Sequence, residues 1–255
     1  MAIIEVEHLH KRYGATVAVE DVSLAVEEGE IFGILGRNGA GKTTTVECLA
    51  GLRVPDGGRV RIAGHDPVRE PGPVRRIVGV QLQDAQLPDK LRASEAVDLF
   101  ASFHDEPADP RAVLAGLGLA DKADTRFRDL SGGQRQRLSI ALALVGRPRV
   151  AILDELTTGL DPHARRETWA LVREIREMGV TVVLVTHVME EAERLCDRVA
   201  VIHEGRVAAI DTPAGLIAAV PDAGPRTSLE DAFVALTTPS ADAPAPWPFP
   251  FPIAR

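Results

Sequence analysis

Residues 31–44 read Ile31-Phe32-Gly33-Ile34-Leu35-Gly36-Arg37-Asn38-Gly39-Ala40-Gly41-Lys42-Thr43-Thr44. The first five form a short apolar run of the buried-strand type. The next nine fit GxxxxGK[ST], and the pattern that follows predicts a helix over 43–52, closed near Gly51. Glycine at Gly36, Gly39 and Gly41 lets backbone N–H groups turn inward around a phosphate, and the helix N-terminus adds its positive end. Lys42 is suited to the β- and γ-phosphates of a nucleotide, and the Thr43 hydroxyl to Mg²⁺. Gly36, Arg37, Asn38, Gly39, Ala40, Gly41, Lys42, Thr43 and Thr44 are therefore candidate nucleotide-binding residues.

A triphosphate site also needs carboxylates. Arg149-Val150-Ala151-Ile152-Leu153-Asp154-Glu155 supplies an apolar strand that ends in two acids. Side chains alternate along a strand, so the two neighbours point different ways. Asp154 is expected to hold the metal, and Glu155, just past the strand end, to polarise the attacking water.

The rest of the chain alternates strand and helix patterns around these two anchors. Short strands are expected around Ile3–Leu9, over Val17–Val26, at Arg59–Ile62 and at Ile77–Val80. Helical spacing then dominates to about Gly146, with helices at 94–103 and 110–119 capped by Ser94 and Asp109. A helix at Arg165–Glu177, a buried strand at Thr181–Val185, a helix at Met189–Leu195 and a hairpin over 199–210 complete the pattern, followed by a last short helix at Ser228–Leu236. Residues 237–255 carry prolines at 239, 244, 246, 248, 250 and 252, which predicts a polyproline-like or disordered tail.

Composition excludes several classes. No apolar run approaches the ~18 residues of a membrane-spanning helix, and the N-terminus MAIIEVEHLHKRYG has no signal-peptide core. Two cysteines, Cys48 and Cys196, make neither a disulfide framework nor a four-ligand metal site. With 29 Lys and Arg against 37 Asp and Glu, the net charge of −8 argues against a nucleic-acid surface. His8 and His10 alternate on what reads as an edge-like strand and form no metal-ligand pattern with the other histidines.

One further stretch, Leu130-Ser131-Gly132-Gly133-Gln134-Arg135-Gln136-Arg137, reads locally as a serine cap followed by exposed helix N–H groups, which is an anion site. The octet resembles the signature motif of the ATP-binding cassette (ABC) transporter ATPases, and the resemblance runs from about Ile4 to Leu236. It implies an α/β fold: a P-loop NTPase of the ABC type with a RecA-like core, an N-terminal β subdomain and a helical insert at about 84–146. The ATPase domain would span 1–236 and the proline-rich tail 237–255. It also implies that Ser131, Gly132, Gly133 and Gln134 grip the γ-phosphate held by a second subunit. Tyr13 matches the family's adenine-stacking aromatic, and Gln83 the glutamine that joins the Mg²⁺ shell. Gln81 competes for the latter role, but Gln83 is followed by the expected acid, Asp84. Asp161, in Thr158-Gly159-Leu160-Asp161, matches the loop that crosses the dimer interface. His187 matches the histidine that contacts the γ-phosphate and orients Glu155. Arg37 and Leu156 stand where the family commonly has proline, and neither position supplies a ligand.

The resemblance thus implies an enzyme that binds ATP and Mg²⁺ and hydrolyses ATP as a homodimer or paired cassette. It would lie on the cytoplasmic side of a bacterial membrane, bound to a separate integral-membrane permease that docks near 83–99. The C-terminal stretches GRVAAIDTPAGLIAAV and TSLEDAFVALT resemble exporter ATPases of the drug and antibiotic type. An importer subunit, a regulatory ATPase outside transport and an adaptor working through its proline tail are the alternatives.

Overall fold

The structure, a computed structural model, describes residues 1–82, 87–220, 223–224 and 227–238. In chain order, β1 (Ala2–Tyr13), β2 (Thr16–Glu27) and β3 (Ile31–Leu35) lead into α1 (Lys42–Leu49). Then come β4 (Gly57–Ile62), α2 (Pro71–Ile77) and β5 (Val78–Gln81). Three helices follow, α3 (Ala93–Ala101), α4 (Pro110–Gly116) and α5 (Gly132–Leu144). The chain continues through β6 (Val150–Asp154), α6 (Pro162–Glu177), β7 (Thr181–Thr186) and α7 (Met189–Leu195). It closes with β8 (Arg198–His203), β9 (Arg206–Asp211), α8 (Pro213–Ala218) and α9 (Leu229–Thr237).

The nine strands of the described residues join one sheet in the order β4-β1-β2-β9-β8-β3-β7-β6-β5. Its two halves differ in direction. From β8 to β5 every neighbouring pair is parallel, whereas β4, β1 and β2 are antiparallel. The halves meet at β2 and β9 through the single register pair Asp21 and Arg206. The parallel strands are covered on both faces, which is why β3, β6 and β7 are wholly buried apolar runs. Alternation sends Ile31 and Leu35 into one core, shared with α3 to α9, and Phe32 and Ile34 into the other. The second core holds the inner faces of β1, β2 and β4 together with Val46, Cys48 and Leu49 of α1.

Several expected details are corrected. The helix placed at 94–103 begins at Ala93, and Ser94 sits inside its first turn; Glu95 instead accepts the Arg92 N–H at 2.9 Å. Asp109 does cap α4, accepting the Arg111 N–H at 3.0 Å. Ile77 ends a short helix rather than starting a strand, because Pro71 pre-sets the first helical turn. β1 is an interior strand between β4 and β2, so His8 and His10 lie away from the sheet edge. His8 Nδ1 lies 3.2 Å from Asp21, and His10 Nδ1 lies 3.0 Å from the Glu20 carbonyl. The tail expected from 237 lies outside the described residues from 239 onward.

Candidate active site

The parallel register puts three loops side by side. β3, β7 and β6 are consecutive neighbours, and from their C-terminal ends come the phosphate loop, His187 and the Asp154–Glu155 pair. This is the edge at which open parallel sheets bind ligands.

The phosphate loop turns between Leu35 and Lys42 with Gly39 at φ 82° and Gly41 at φ 102°. Gly41 has a second constraint: a Cβ there would collide with the Ala18 carbonyl oxygen. Lys42 opens α1, is only 5% exposed, and donates to the carbonyls of Gly36 (2.8 Å) and Arg37 (3.1 Å). Its ammonium thus fills the hollow of its own loop. Burial pulls the Lys42 pKa below the usual lysine value, and the charges of Glu155 and Asp154 oppose that pull. A cleft of about 390 Å³ is lined by Tyr13, Ala18, Asn38, Gly39, Gly41, Lys42, Thr43, Thr44 and Glu155. Seven of the expected nucleotide-binding side chains and backbones therefore share one surface with the expected base. Tyr13 is 43% exposed at its rim, with the Lys11 ammonium 5.5 Å from the ring centroid. Gly36 and Arg37 line a second cleft of about 570 Å³ with Asn38, His187 and residues of α9. Ala40 is buried within the loop.

Asp154 is the last residue of β6 and is 1% exposed. Its backbone N–H donates to Gln81 Oε1 at 3.1 Å, while Gln81 Nε2 donates to the Leu82 carbonyl at 2.8 Å. The Gln81 amide is therefore spent on joining β5 to β6, and Gln83 lies outside the described residues.

Glu155 continues the sheet for one residue beyond β6, donating its N–H to the Val185 carbonyl at 2.9 Å. It then turns at φ 50°, a left-handed conformation that costs an L-residue free energy and fixes where its carboxylate points. Glu155 Oε1 lies 3.1 Å from His187 Nδ1, and Oε2 accepts from the Thr158 hydroxyl at 3.4 Å. The glutamate side chain is 8% exposed and the histidine 38%. The arrangement is a nearly buried carboxylate in contact with a more accessible imidazole.

Ser131 caps α5, accepting the Gln134 N–H at 3.3 Å while Gln134 Oε1 accepts the Ser131 N–H at 2.9 Å. Gly132 and Gly133 follow, and all three of Ser131, Gly132 and Gly133 line a separate cleft of about 390 Å³ with Gly159, Leu160 and Asp161. None of its lining residues belongs to the phosphate-loop cleft. The Asp161 carboxylate caps α6, accepting the N–H groups of His163 and Ala164 at 2.9 and 3.1 Å. Asp161 therefore lies in the signature cleft and serves its own helix, which starts three residues earlier than the pattern suggested, at Pro162. The two stretches expected to bind anions thus line different clefts of the one chain.

Sequence reasoning missed Glu191, a 1%-exposed acid on α7 that accepts hydrogen bonds from Thr157 and Trp169. Its only sequence signal is its place four residues after His187, on the face of a short helix that turns inward.

Hard-oxygen donors suit Mg²⁺. The Thr43 hydroxyl at the start of α1 and the buried Asp154 carboxylate, both grouped with Lys42, provide that chemistry.

The ABC transporter family profile matches residues 19–158. The Nod factor export ATP-binding protein I of Paraburkholderia xenovorans (strain LB400) is 44% identical over 222 residues, covering 85% of this chain and 73% of its own. The daunorubicin/doxorubicin resistance ATP-binding protein of Streptomyces peucetius is 42% identical over 234 residues, covering 90% of this chain and 71% of its own. Among solved structures, a dimeric bacterial ABC transporter cassette superposes with a TM-score of 0.72 at 29% identity, covering 82% of this chain and 98% of that one.

Proposed function

The chain belongs to the ABC transporter family of ATP-binding cassettes, and from that membership we propose that it is the ATP-hydrolysing subunit of an exporter whose membrane-spanning part is a separate polypeptide. The carrying observation is the Glu155–His187 pair at 3.1 Å beside a buried Lys42. No helix among the described residues is long and apolar enough to cross a membrane.

In this reading Tyr13 stacks on the adenine ring, and stacking of this kind contributes about 1–3 kcal/mol. The N–H groups of Gly36–Thr44 surround the β-phosphate. Lys42 exchanges its bonds to the Gly36 and Arg37 carbonyls for the β- and γ-phosphate oxygens, so ATP replaces an internal bond rather than meeting an undefined loop. Thr43 and Asp154, with Gln83, would hold Mg²⁺, which supplies neutralisation of the charge that develops on the phosphates. Glu155 accepts a proton from the attacking water, and His187 fixes its carboxylate. The separation of the signature cleft from the phosphate-loop cleft supports a two-chain site. Ser131, Gly132, Gly133 and Gln134 of one copy would close over the γ-phosphate of the other, with Asp161 at the interface. Hydrolysis removes that shared phosphate, and the pair reopens to drive its permease.

The similarity to a Nod factor export ATP-binding protein and to a daunorubicin/doxorubicin resistance ATP-binding protein supports export of a small molecule. A surface that suits the permease lies beside the helical block, where Phe103 is 68% exposed and packs edge-on against Phe100.

Glu155→Gln should retain ATP binding and accumulate a dimer on size-exclusion chromatography with ATP, while Lys42→Ala should lose binding and turnover. Wild-type ATPase activity in Lys42→Ala would refute the assignment. Co-purification with a permease and drug-stimulated turnover would support export; stimulation only by a substrate-binding protein would favour import.

A further inference from the structure

We infer that Glu191 is a positioning residue for hydrolysis: one buried carboxylate oxygen ties the loop that carries Glu155 to the helix that follows His187. Glu191 Oε1 accepts the Thr157 hydroxyl at 3.0 Å and the Trp169 indole N–H at 3.1 Å. All three residues are buried, at 1%, 5% and 5% exposure. Thr157 lies two residues after Glu155, on the segment that runs to Asp161. Trp169 lies on α6, the helix that Asp161 caps. Glu191 itself lies on α7, four residues after His187.

The segment from Glu155 to Asp161 is thus joined at Thr157 to the same oxygen that Trp169 of α6 reaches. Its near end carries the base and its far end opens the helix whose indole shares the contact. α7 in turn fixes the position of His187, whose Nδ1 must stay within reach of Glu155. Trp169 is further held by the guanidinium groups of Arg165 on α6 and Arg194 on α7, 5.9 and 5.4 Å from its rings. An apolar residue at position 191 would fill the space but leave the Thr157 hydroxyl and the indole N–H without their acceptor. Buried donors do not tolerate that, so the loop or the helix would shift. Burial pushes the Glu191 pKa up, and its hydroxyl and indole partners oppose the rise. Neither protonation state removes the acceptor oxygen. No reacting atom touches Glu191, and its effect passes through Glu155 and His187.

Glu191 has this role only in an enzyme that hydrolyses ATP as proposed above, so the test has one arm that needs turnover and one that does not. The full chain carrying Trp247→Phe leaves Trp169 as its single tryptophan. In that background Glu191→Gln, which keeps an acceptor oxygen, should hold kcat within about twofold. Thr157→Val should lower kcat about tenfold, since losing one buried bond of this kind is worth roughly a factor of ten, and Glu191→Ala, which loses two, should lower it at least as much, with KM for ATP changed less than about twofold in each. Thr157→Val keeps the shape of the side chain and carries the test if the alanine variant fails to fold. Wild-type kcat in Thr157→Val, or failure of Glu191→Gln to rescue, would overturn the role. The second arm follows Trp169 emission on adding ATP with EDTA, which reads binding alone. The wild type should show a change that Thr157→Val loses. An ATP-induced change equal in both would overturn the coupling. A wild-type chain that shows the emission change but no turnover would refute the ATPase reading and leave the coupling standing.

Discussion

Replacing Glu155 by glycine should leave a more stable protein than replacing it by alanine, the reverse of the ordinary order. Both substitutions remove the carboxylate and with it the contacts to His187 and Thr158. They differ only in how the backbone at 155 meets its φ of 50°. An L-residue with a Cβ pays about 1–2 kcal/mol in the left-handed region, and glycine does not. Against that, glycine loses about 0.4–1 kcal/mol more chain entropy on folding than alanine. The balance favours the glycine variant by about 0.5–1 kcal/mol. For a chain of this size 1 kcal/mol corresponds to roughly 2–4 °C in Tm, so the glycine variant should melt about 1–4 °C above the alanine variant. The assay is thermal unfolding of the two variants without nucleotide at matched concentration, with ATPase measured on the same preparations. Neither should hydrolyse ATP. A higher Tm for Glu155→Ala would refute the claim that the chain holds residue 155 in a strained conformation.

Gly41→Ala should weaken ATP binding at least about tenfold, because φ 102° is closed to alanine and the new Cβ meets the Ala18 carbonyl at the rim of the cleft; unchanged affinity of a fluorescent ATP analogue would contradict this. The two cysteines should resist alkylation in the folded protein. Burial pushes the Cys48 thiol up to about 11 and pushes Cys196 up further, so roughly 0.1% of Cys48 is thiolate at pH 8. Iodoacetamide should label both in urea and neither in native buffer, as intact mass spectrometry would report, and stoichiometric native labelling would show that these sites open.

What could be read in the sequence was what local chemistry decides. Ile31–Thr44 announces its own strand, turn and helix, because an apolar run, spaced glycines and the GK[ST] ending fall together in one short stretch. Val150–Asp154 and Thr181–Thr186 were legible as continuous apolar runs, the mark of strands buried on both faces. β1 and β2 were harder to delimit. Each runs for 12 residues, but bulges between Val6 and Leu9 and between Leu9 and Lys11 interrupt the alternation that would have marked their length. The sheet order was not legible from periodicity, because pairing β3 with β7 joins residues about 150 positions apart through contacts that leave no local trace. In the site, the types and spacing of Lys42, Asp154, Glu155 and His187 were visible. The left-handed turn at Glu155 was not, since glutamate gives no sign of it, and neither was Glu191, whose meaning depends on the donors that reach it from two other segments.

The phosphate loop, the Asp154–Glu155 pair and His187 leave the sheet from three consecutive parallel strands, and this has a consequence for how far the sequence can drift. The distance between the loops is set mainly by main-chain hydrogen bonds, at about 4.8 Å from one strand to the next. That spacing is a property of peptide groups, and a change of side chain in a loop leaves it alone. Leu156 and Arg37 can therefore replace the more common prolines while Glu155 still reaches His187 and Lys42 still closes its loop. Such a scaffold lets the loops change in sequence while the spacing of the strands that carry them stays fixed.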